Sequence, residues 1–310
     1  MLAKAATAVP TQGEYQYELK LDGYRVLAVK DTRGTRLYSR TALDMSEKFA
    51  PVTRAIEALP IDEVTLDGEV VALDAQGRPS FELLQAYERS PQRIKLVYYA
   101  FDVLRAGGRD VMGYTWEERR KVLELVCPAG EVLRISSALG ADGEALLREI
   151  AKLQLEGIVG KKIASKYEPG QRSGAWIKIK VEQDADFVIG GYSDPDGARP
   201  FFGALVLGRY AADGTLIYCG RAGSGLSDQI LGELHARFTT MAAPCPFPEF
   251  TAPPPSTGYR MDPAELRKCH WVRPELVCRV RFQSMLSDGV IRFPVFTGLR
   301  DDVDPRDITA

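Results

Sequence analysis

The sequence predicts an α+β protein in two domains, 1–183 and 184–310, and three observations support this. Up to residue 183, segments whose apolar side chains alternate every second position are interleaved with capped segments of helical period. Beyond Val181 the chain turns to short strands punctuated by Asp-Gly pairs, with a single helix. The 310 residues are 45% hydrophobic and 26% charged, a composition able to bury a core in each part.

In the first domain, Tyr15, Tyr17, Leu19 and Leu21 alternate with polar residues, so a strand is expected over Tyr15–Val29 with a turn at Asp22-Gly23. Arg36–Ser39 and Glu63–Leu73 read as further strands, and Lys95–Val103, rich in aromatic and β-branched residues, as a buried one. Helices are expected over Ser80–Tyr87, with Ser80 as N-cap, and over Thr115–Val126, where Thr115 and Glu118 have capping-box spacing. A third helix is expected over Gly143–Leu155. In the second domain, strands are expected at Phe187–Tyr192, Ala204–Tyr210, Leu216–Arg221, Val277–Phe282 and Val290–Phe293, with a helix at Asp228–Phe238. Short strands with one helix predict a small β-barrel of the OB-fold kind. Pro244 to Pro263, with its many prolines, is expected to be a long ordered loop inside that domain.

The five cysteines are scattered and form no C-x-x-C pair, so neither a disulfide framework nor a zinc cluster is expected. There is no apolar run of about eighteen residues and no signal-peptide core, so no membrane association is expected, and the cytoplasm is. Net charge is −2, which argues mildly against a general nucleic-acid surface. Cations are nevertheless concentrated locally. Lys161, Lys162, Lys166, Arg172, Lys178 and Lys180 fall within one stretch opposed by Glu168, as a phosphate site requires.

Four clusters can carry chemistry. Period two places Glu18, Lys20 and Asp22 on one strand face. A solvated edge has that pattern, and so does a nucleophilic lysine, which must be neutral to attack and needs desolvation or a cationic neighbour such as Arg25 or a metal. Asp22 would orient the amine or accept its proton. In Asp67-Gly68-Glu69, flanked by apolar strand residues, Glu69 suits a ribose hydroxyl or a metal, and a turn acid fits as well. Glu156-Gly157 sits where helix gives way to strand: Glu156 suits Mg²⁺, and Gly157 reads either as close backbone approach or as a helix C-cap. In Trp176-Ile177-Lys178-Ile179-Lys180 two lysines share a strand face, and a polyphosphate between them would relieve their repulsion.

In order, Lys20-x-Asp22-Gly23-x-Arg25, Asp67-Gly68-Glu69, Glu156-Gly157 and Lys178-x-Lys180 resemble the motif series of ATP-dependent DNA ligases and mRNA capping enzymes. Ser39-Arg40 resembles the motif after the nucleophile, and Tyr99-Ala100-Phe101-Asp102 the motif whose aromatic ring stacks on adenine. Pro79–Gln85, Glu117–Arg120, Ser165–Lys180 and Phe187–Tyr192 resemble, over nearly the whole chain, the ligase domain of bacterial ligase D. The resemblance implies a nucleotidyltransferase (ATP-grasp-like) domain followed by an OB-fold domain. It implies Lys20 as the residue that becomes adenylylated, with AMP carried from ATP to a DNA 5′-phosphate. Glu18, Arg25, Arg40, Glu69, Phe101, Lys178, Lys180, Arg292 and Arg300 would bind nucleotide, supported by Asp22 and Asp302, with Glu69 and Glu156 on Mg²⁺ or a substituting Mn²⁺. Implied partners are nicked or broken double-stranded DNA, Ku protein and an end-joining polymerase, met by a monomer at the bacterial nucleoid. The C-terminal motif departs from the pattern. Arg292 to Val303 keeps Arg292, Arg300 and Asp302, but Val303 stands where the family has lysine, so slow self-adenylylation is expected.

Overall fold

The computed structural model describes every residue except 88–90, 92–93, 129, 154, 196, 251–260, 262 and 287, and leaves the side chains of 249 and 263 undescribed. The chain divides into two compact units, Met1–Val181 and Glu182–Ala310.

The first unit is built on two sheets. One has the strand order Lys4–Ala5, Trp176–Lys180, Gly157–Lys162, Tyr15–Leu19, Ala138–Gly140. The other has the order Gly34–Ser39, Tyr24–Asp31, Val64–Ala72, Leu96–Ala106, Arg109–Asp110, with Leu133–Ile135 parallel to Leu96–Ala106. The alternation at Tyr15 ends its strand at Leu19, one residue before Lys20. The chain then crosses at once to the second sheet, entering at Tyr24. Gly23 is required at this crossing, because a Cβ there would lie 2.2 Å from the Val70 carbonyl oxygen. A second short crossing joins the sheets through Ser136 and Ser137, between Leu133–Ile135 and Ala138–Gly140.

The helices follow their caps. Ser80 accepts from Leu83 N ahead of Phe81–Ala86, and Thr115 and Glu118 form the expected capping box before Trp116–Val126. Gly143–Lys152 is capped by Asp142 and ends before Leu155, the residue at which the sequence placed its end; residue 154 lies outside the described residues. The helix Ala50–Glu57 was not anticipated. Pro51 in its first turn and the buried Val52–Ile56 pair, four apart, are the local signals for it.

The second unit is a five-stranded antiparallel sheet ordered Leu216–Ala222, Leu205–Tyr210, Gln183–Ser193, Cys269–Phe282, Val295–Leu299. Its two edges meet where Phe296 N donates to Ser224 O at 2.9 Å, closing the barrel expected of an OB fold. The Asp228–Phe238 helix, capped by Ser227, buries Leu231, Leu234 and Phe238 against it, each contributing about 1.5–3 kcal/mol. Cys269–Phe282 is longer than the Val277–Phe282 strand expected. It runs through Pro274, which has no ladder donor, and the register shifts there, Trp271 pairing with Gly191 and Leu276 with Ile189. The expected Val290–Phe293 strand is reduced to Ile291–Arg292, hairpinned to Ser284–Met285. Of the proline-rich loop, Pro248–Phe250 forms a 3₁₀ turn, while 251–260 and 262 lie outside the described residues.

Candidate active site

A cavity of about 290 Å³ opens in the first unit where the chain crosses between the sheets. Of the residues the sequence singled out, Glu18, Lys20, Arg25, Arg40, Glu69, Phe101 and Lys178 line it. Asp22 stands in the crossover outside the lining. Glu156 and Lys180 reach the site through Lys20: the Lys20 ammonium is paired with Glu156 Oε1, and Lys180 Nζ lies 3.7 Å from the same oxygen. The backbone sets this meeting. Lys20 N donates to Gly157 O at 2.9 Å. Gly157 has φ +147, and a Cβ on it would sit 2.1 Å from Ile179 O. It therefore marks a close approach of two strands, not a helix C-cap.

Glu156 Oε2 is buried with no hydrogen-bond partner among the described residues. Burial pushes the Glu69 carboxyl up to about 8; Lys20 and Arg25 oppose this, and Asp67 and Glu156 reinforce it. No group of three or more His, Cys, Asp or Glu among the described residues could hold a metal by itself. One or two carboxylates completed by phosphate and water are nevertheless the donor set that Mg²⁺ prefers, so Glu156 and Glu69 fit such a cation beside a bound nucleotide. Burial and the neighbouring Lys20, Lys180 and Arg172 draw the Lys178 ammonium below the usual lysine range. A phosphate group placed among these cations would relieve that strain.

Arg25 lines the cavity but its fork is held elsewhere. Its Nε and Nη2 donate to Asp67 at 3.0 and 2.6 Å, and Nη2 also donates to Met1 O at 2.6 Å. The Tyr167 hydroxyl donates to the same carboxylate at 2.7 Å. Asp67 thus has the partners its apolar strand demands. Phe101 meets Trp176 edge-on at 5.8 Å between ring centres, and the Arg25 guanidinium lies 5.5 Å from the centre of the Phe101 ring. Asp102, next to Phe101, is held bidentately by Arg119 at 2.7 and 2.9 Å, which fixes the strand beneath the pocket.

Lys161, assigned no role by the sequence beyond its place in the basic stretch, also lines the cavity. Its ammonium lies 2.7 Å from Glu18 Oε1 and donates to Phe101 O at 2.7 Å. The strand alternation Val159, Lys161 was the available signal, but Lys161 was read only as one of the cations whose local concentration suits a phosphate site. Trp176 and Arg172 likewise line the cavity. Arg40 is presented by a tight loop in which Ala42 adopts φ 62 and Ser39 Oγ accepts from Thr41 N and Leu43 N.

The remaining predicted residues belong to the second unit and are engaged there. Arg300 Nε and Nη2 each donate to Asp302 at 2.9 Å, and its Nη1 donates to Asp186 at 2.9 Å. The Arg300 guanidinium holds the Asp302 carboxyl down to about 2. Arg292 is buried, its guanidinium 5.2 Å from the Phe293 ring centre. Val303 packs against the apolar cluster around Tyr210 and Leu216.

Residues 1–180 match the family described as "ATP dependent DNA ligase domain", and 198–303 match "ATP dependent DNA ligase C terminal region". The chain is 36% identical over 305 residues to the multifunctional non-homologous end joining protein LigD of Pseudomonas aeruginosa, covering 97% of this chain and 35% of that protein. It is 36% identical over 299 residues to LigD of Mycolicibacterium smegmatis, covering 95% of this chain and 37% of that one. The chain therefore spans little more than a third of these relatives. Among solved structures it is similar to mycobacterial DNA ligase D complexed with ATP and MES, at 29% identity and TM-score 0.52, covering 99% and 98% of the two chains. The ligase domain of Mycobacterium tuberculosis LigD gives 28% identity and TM-score 0.53, with 99% and 97% covered.

Proposed function

We propose, from the premise that the chain belongs to the ATP-dependent DNA ligase family, that it seals nicked or broken double-stranded DNA through AMP carried on Lys20. The observation that carries this reading is the contact between Lys20, in the cavity wall with Lys178, and Glu156, whose same oxygen lies 3.7 Å from Lys180 Nζ.

Lys20 Nζ attacks the α-phosphorus of ATP. The bond to the bridging oxygen of pyrophosphate breaks, and the nitrogen gives up its proton as the phosphoramide forms. Glu156 Oε1 is the carboxylate in contact with that ammonium and is placed to receive the proton. Lys178 and Lys180 hold the non-bridging oxygens, where charge builds. Glu156 and Glu69 would hold a divalent cation, which when bound would supply further charge neutralisation at the phosphates. Glu18, facing the cavity, accepts a hydrogen bond from the base, and the Phe101 ring offers a surface for stacking. AMP then passes to a 5′-phosphate, and the strand's 3′-hydroxyl displaces it. Arg300 and Asp302 orient the pyrophosphate in the first step, Arg292 contributes a further cation, and the barrel grips DNA by its backbone, as any sequence must be accepted. The end-joining relatives make Ku protein and an end-joining polymerase the proposed partners, in a bacterial cytoplasm. No helix among the described residues is long and apolar enough to cross a membrane.

The test is incubation with labelled ATP and Mg²⁺ after pyrophosphate treatment to remove pre-bound AMP, followed by denaturing electrophoresis. Wild type is expected to carry label and Lys20→Ala none; an unlabelled wild type defeats the proposal.

A further inference from the structure

The strand Gly34–Ser39 turns back through the tip Arg40-Thr41-Ala42, and Asp44 returns to pair with Tyr38. Ser39 closes the tip. Its N–H donates to Leu43 O at 2.9 Å, its carbonyl accepts from Ala42 N at 2.9 Å, and its Oγ accepts from Thr41 N and Leu43 N at 3.3 and 3.1 Å. A hairpin tip of this length ends in a left-handed residue, for which glycine is the usual choice. Here Ala42 takes that place, at φ 62, a costly conformation kept only where the surroundings over-determine it. The fixed tip presents two side chains: Arg40, which lines the cavity, and Leu43, which stands outside the lining and is 63% exposed. A solvated leucine is ordinary on a protein surface. One held this firmly beside an arginine of the cavity wall is not. The acid that follows adds little repulsion towards a phosphate, since Asp44 accepts from Ser46 N at 2.9 Å and lies 3.6 Å from Arg36.

We propose that Leu43 is a DNA-binding residue that packs on the deoxyribose next to the phosphate Arg40 meets at the break. The inference rests on the reading of the chain as a DNA ligase. Phosphate and sugar alternate along a strand, so the apolar neighbour of any phosphate is a sugar. An arginine and a leucine leaving one rigid tip match that alternation: the guanidinium takes the phosphate and the leucine covers the sugar's carbon edge. Such a contact carries no base information, which suits an enzyme that must accept any sequence. Because the tip is already ordered, little conformational freedom is lost when the strand settles on it.

The test is single-turnover sealing of a nicked duplex by protein already carrying AMP, followed against protein concentration, in wild type, Leu43→Asn and Leu43→Met. Asparagine keeps the size but not the apolar surface; methionine keeps the surface. Leu43→Asn is expected to raise the half-saturating concentration about tenfold, the scale set by covering half or more of a leucine side chain, with the rate at saturation within about twofold of wild type. Leu43→Met should stay within about twofold of wild type in both. Self-adenylylation and the urea midpoint should be the same in all three proteins, because Leu43 lies on the surface outside the cavity lining. The salt dependence of DNA affinity should keep its slope in Leu43→Asn, since no phosphate contact is lost. The ratio of wild type to Leu43→Asn should persist on nicks flanked by an abasic nucleotide, where the sugar remains and the base is gone. Wild-type affinity in Leu43→Asn, an equal loss of self-adenylylation, or a ratio that collapses on the abasic nick would overturn the proposal. A wild type that takes no AMP label would bring down the underlying reading of the site instead, and that result is visible before any substitution is made.

Discussion

In Met1–Val181 the ionic pairs under the cavity are buried and fixed: the Arg119 and Asp102 side chains are 0% and 1% exposed, and Arg119 also donates to Tyr114 O and Ser165 O. In Glu182–Ala310 the chain of charges Arg279–Asp186–Arg300–Asp302 reaches the solvent, from 15% exposure at Asp186 to 70% at Asp302. The difference separates two uses of charge. A buried pair cannot exchange partners without leaving a charge unsolvated, so it holds geometry. An exposed pair is screened and easily broken, which suits side chains that must release one another to meet a ligand.

The strongest way to break this comparison is Arg119→Met, which strands Asp102 in the core. A loss of about 3–5 kcal/mol is expected in urea unfolding, with much of it recovered by adding Asp102→Leu. A loss below about 1 kcal/mol would show that the pair is not the scaffold described here.

A smaller effect, on rate, is expected from Val303→Lys. Val303 is only partly buried against its apolar cluster, and a lysine stem can cover the same surface with its head in water. Restoring the family's cation should accelerate self-adenylylation severalfold with little change in the unfolding midpoint. An unchanged rate would remove Val303 as the cause of a slow first step.

Smallest of all should be the effect of Asp302→Asn on stability. The unfolding midpoint should not move, while adenylylation slows because Arg300 loses half of its alignment. The pH dependence follows from sign. Arg300 depresses the folded Asp302 value to about 2, so the pair is fully formed above the unfolded value, about 3.9, and is lost only as pH falls towards 2. Between pH 5 and 8 the shape of the rate profile should be identical in wild type and variant, and a profile altered in that window would contradict the assignment.

Local rules made much of the fold legible. The Thr115–Glu118 box, the Asp22-Gly23 turn and the alternation at Tyr15 each act within a few residues. So did the lining residues that sit on named motifs, such as Lys20 and Lys178. What stayed hidden depends on contacts distant in sequence. Arg25 and Asp67 are 42 positions apart, and their pairing takes up a guanidinium that the sequence offered as a free neighbour of Lys20. Lys161 looked like one more cation in a basic stretch, because nothing local shows that its strand runs beside Glu18 and beneath Trp176. The Cys269–Phe282 strand was expected only over Val277–Phe282, because its first part pairs with Gly191–Ser193 across a register shift that no local pattern shows.

The two crossings between the sheets of the first unit, at Lys20–Gly23 and at Ser136–Ser137, act as stitches across a seam. Lys20, Leu21 and Ser136 all face the cavity, so the seam and the cavity coincide. Each stitch is too short to stretch, and each is tied at both ends into hydrogen-bonded strands. The sheets cannot slide apart without tearing those ladders. The walls of the cavity therefore share the rigidity of the core, and a nucleotide entering it has little chain left to order.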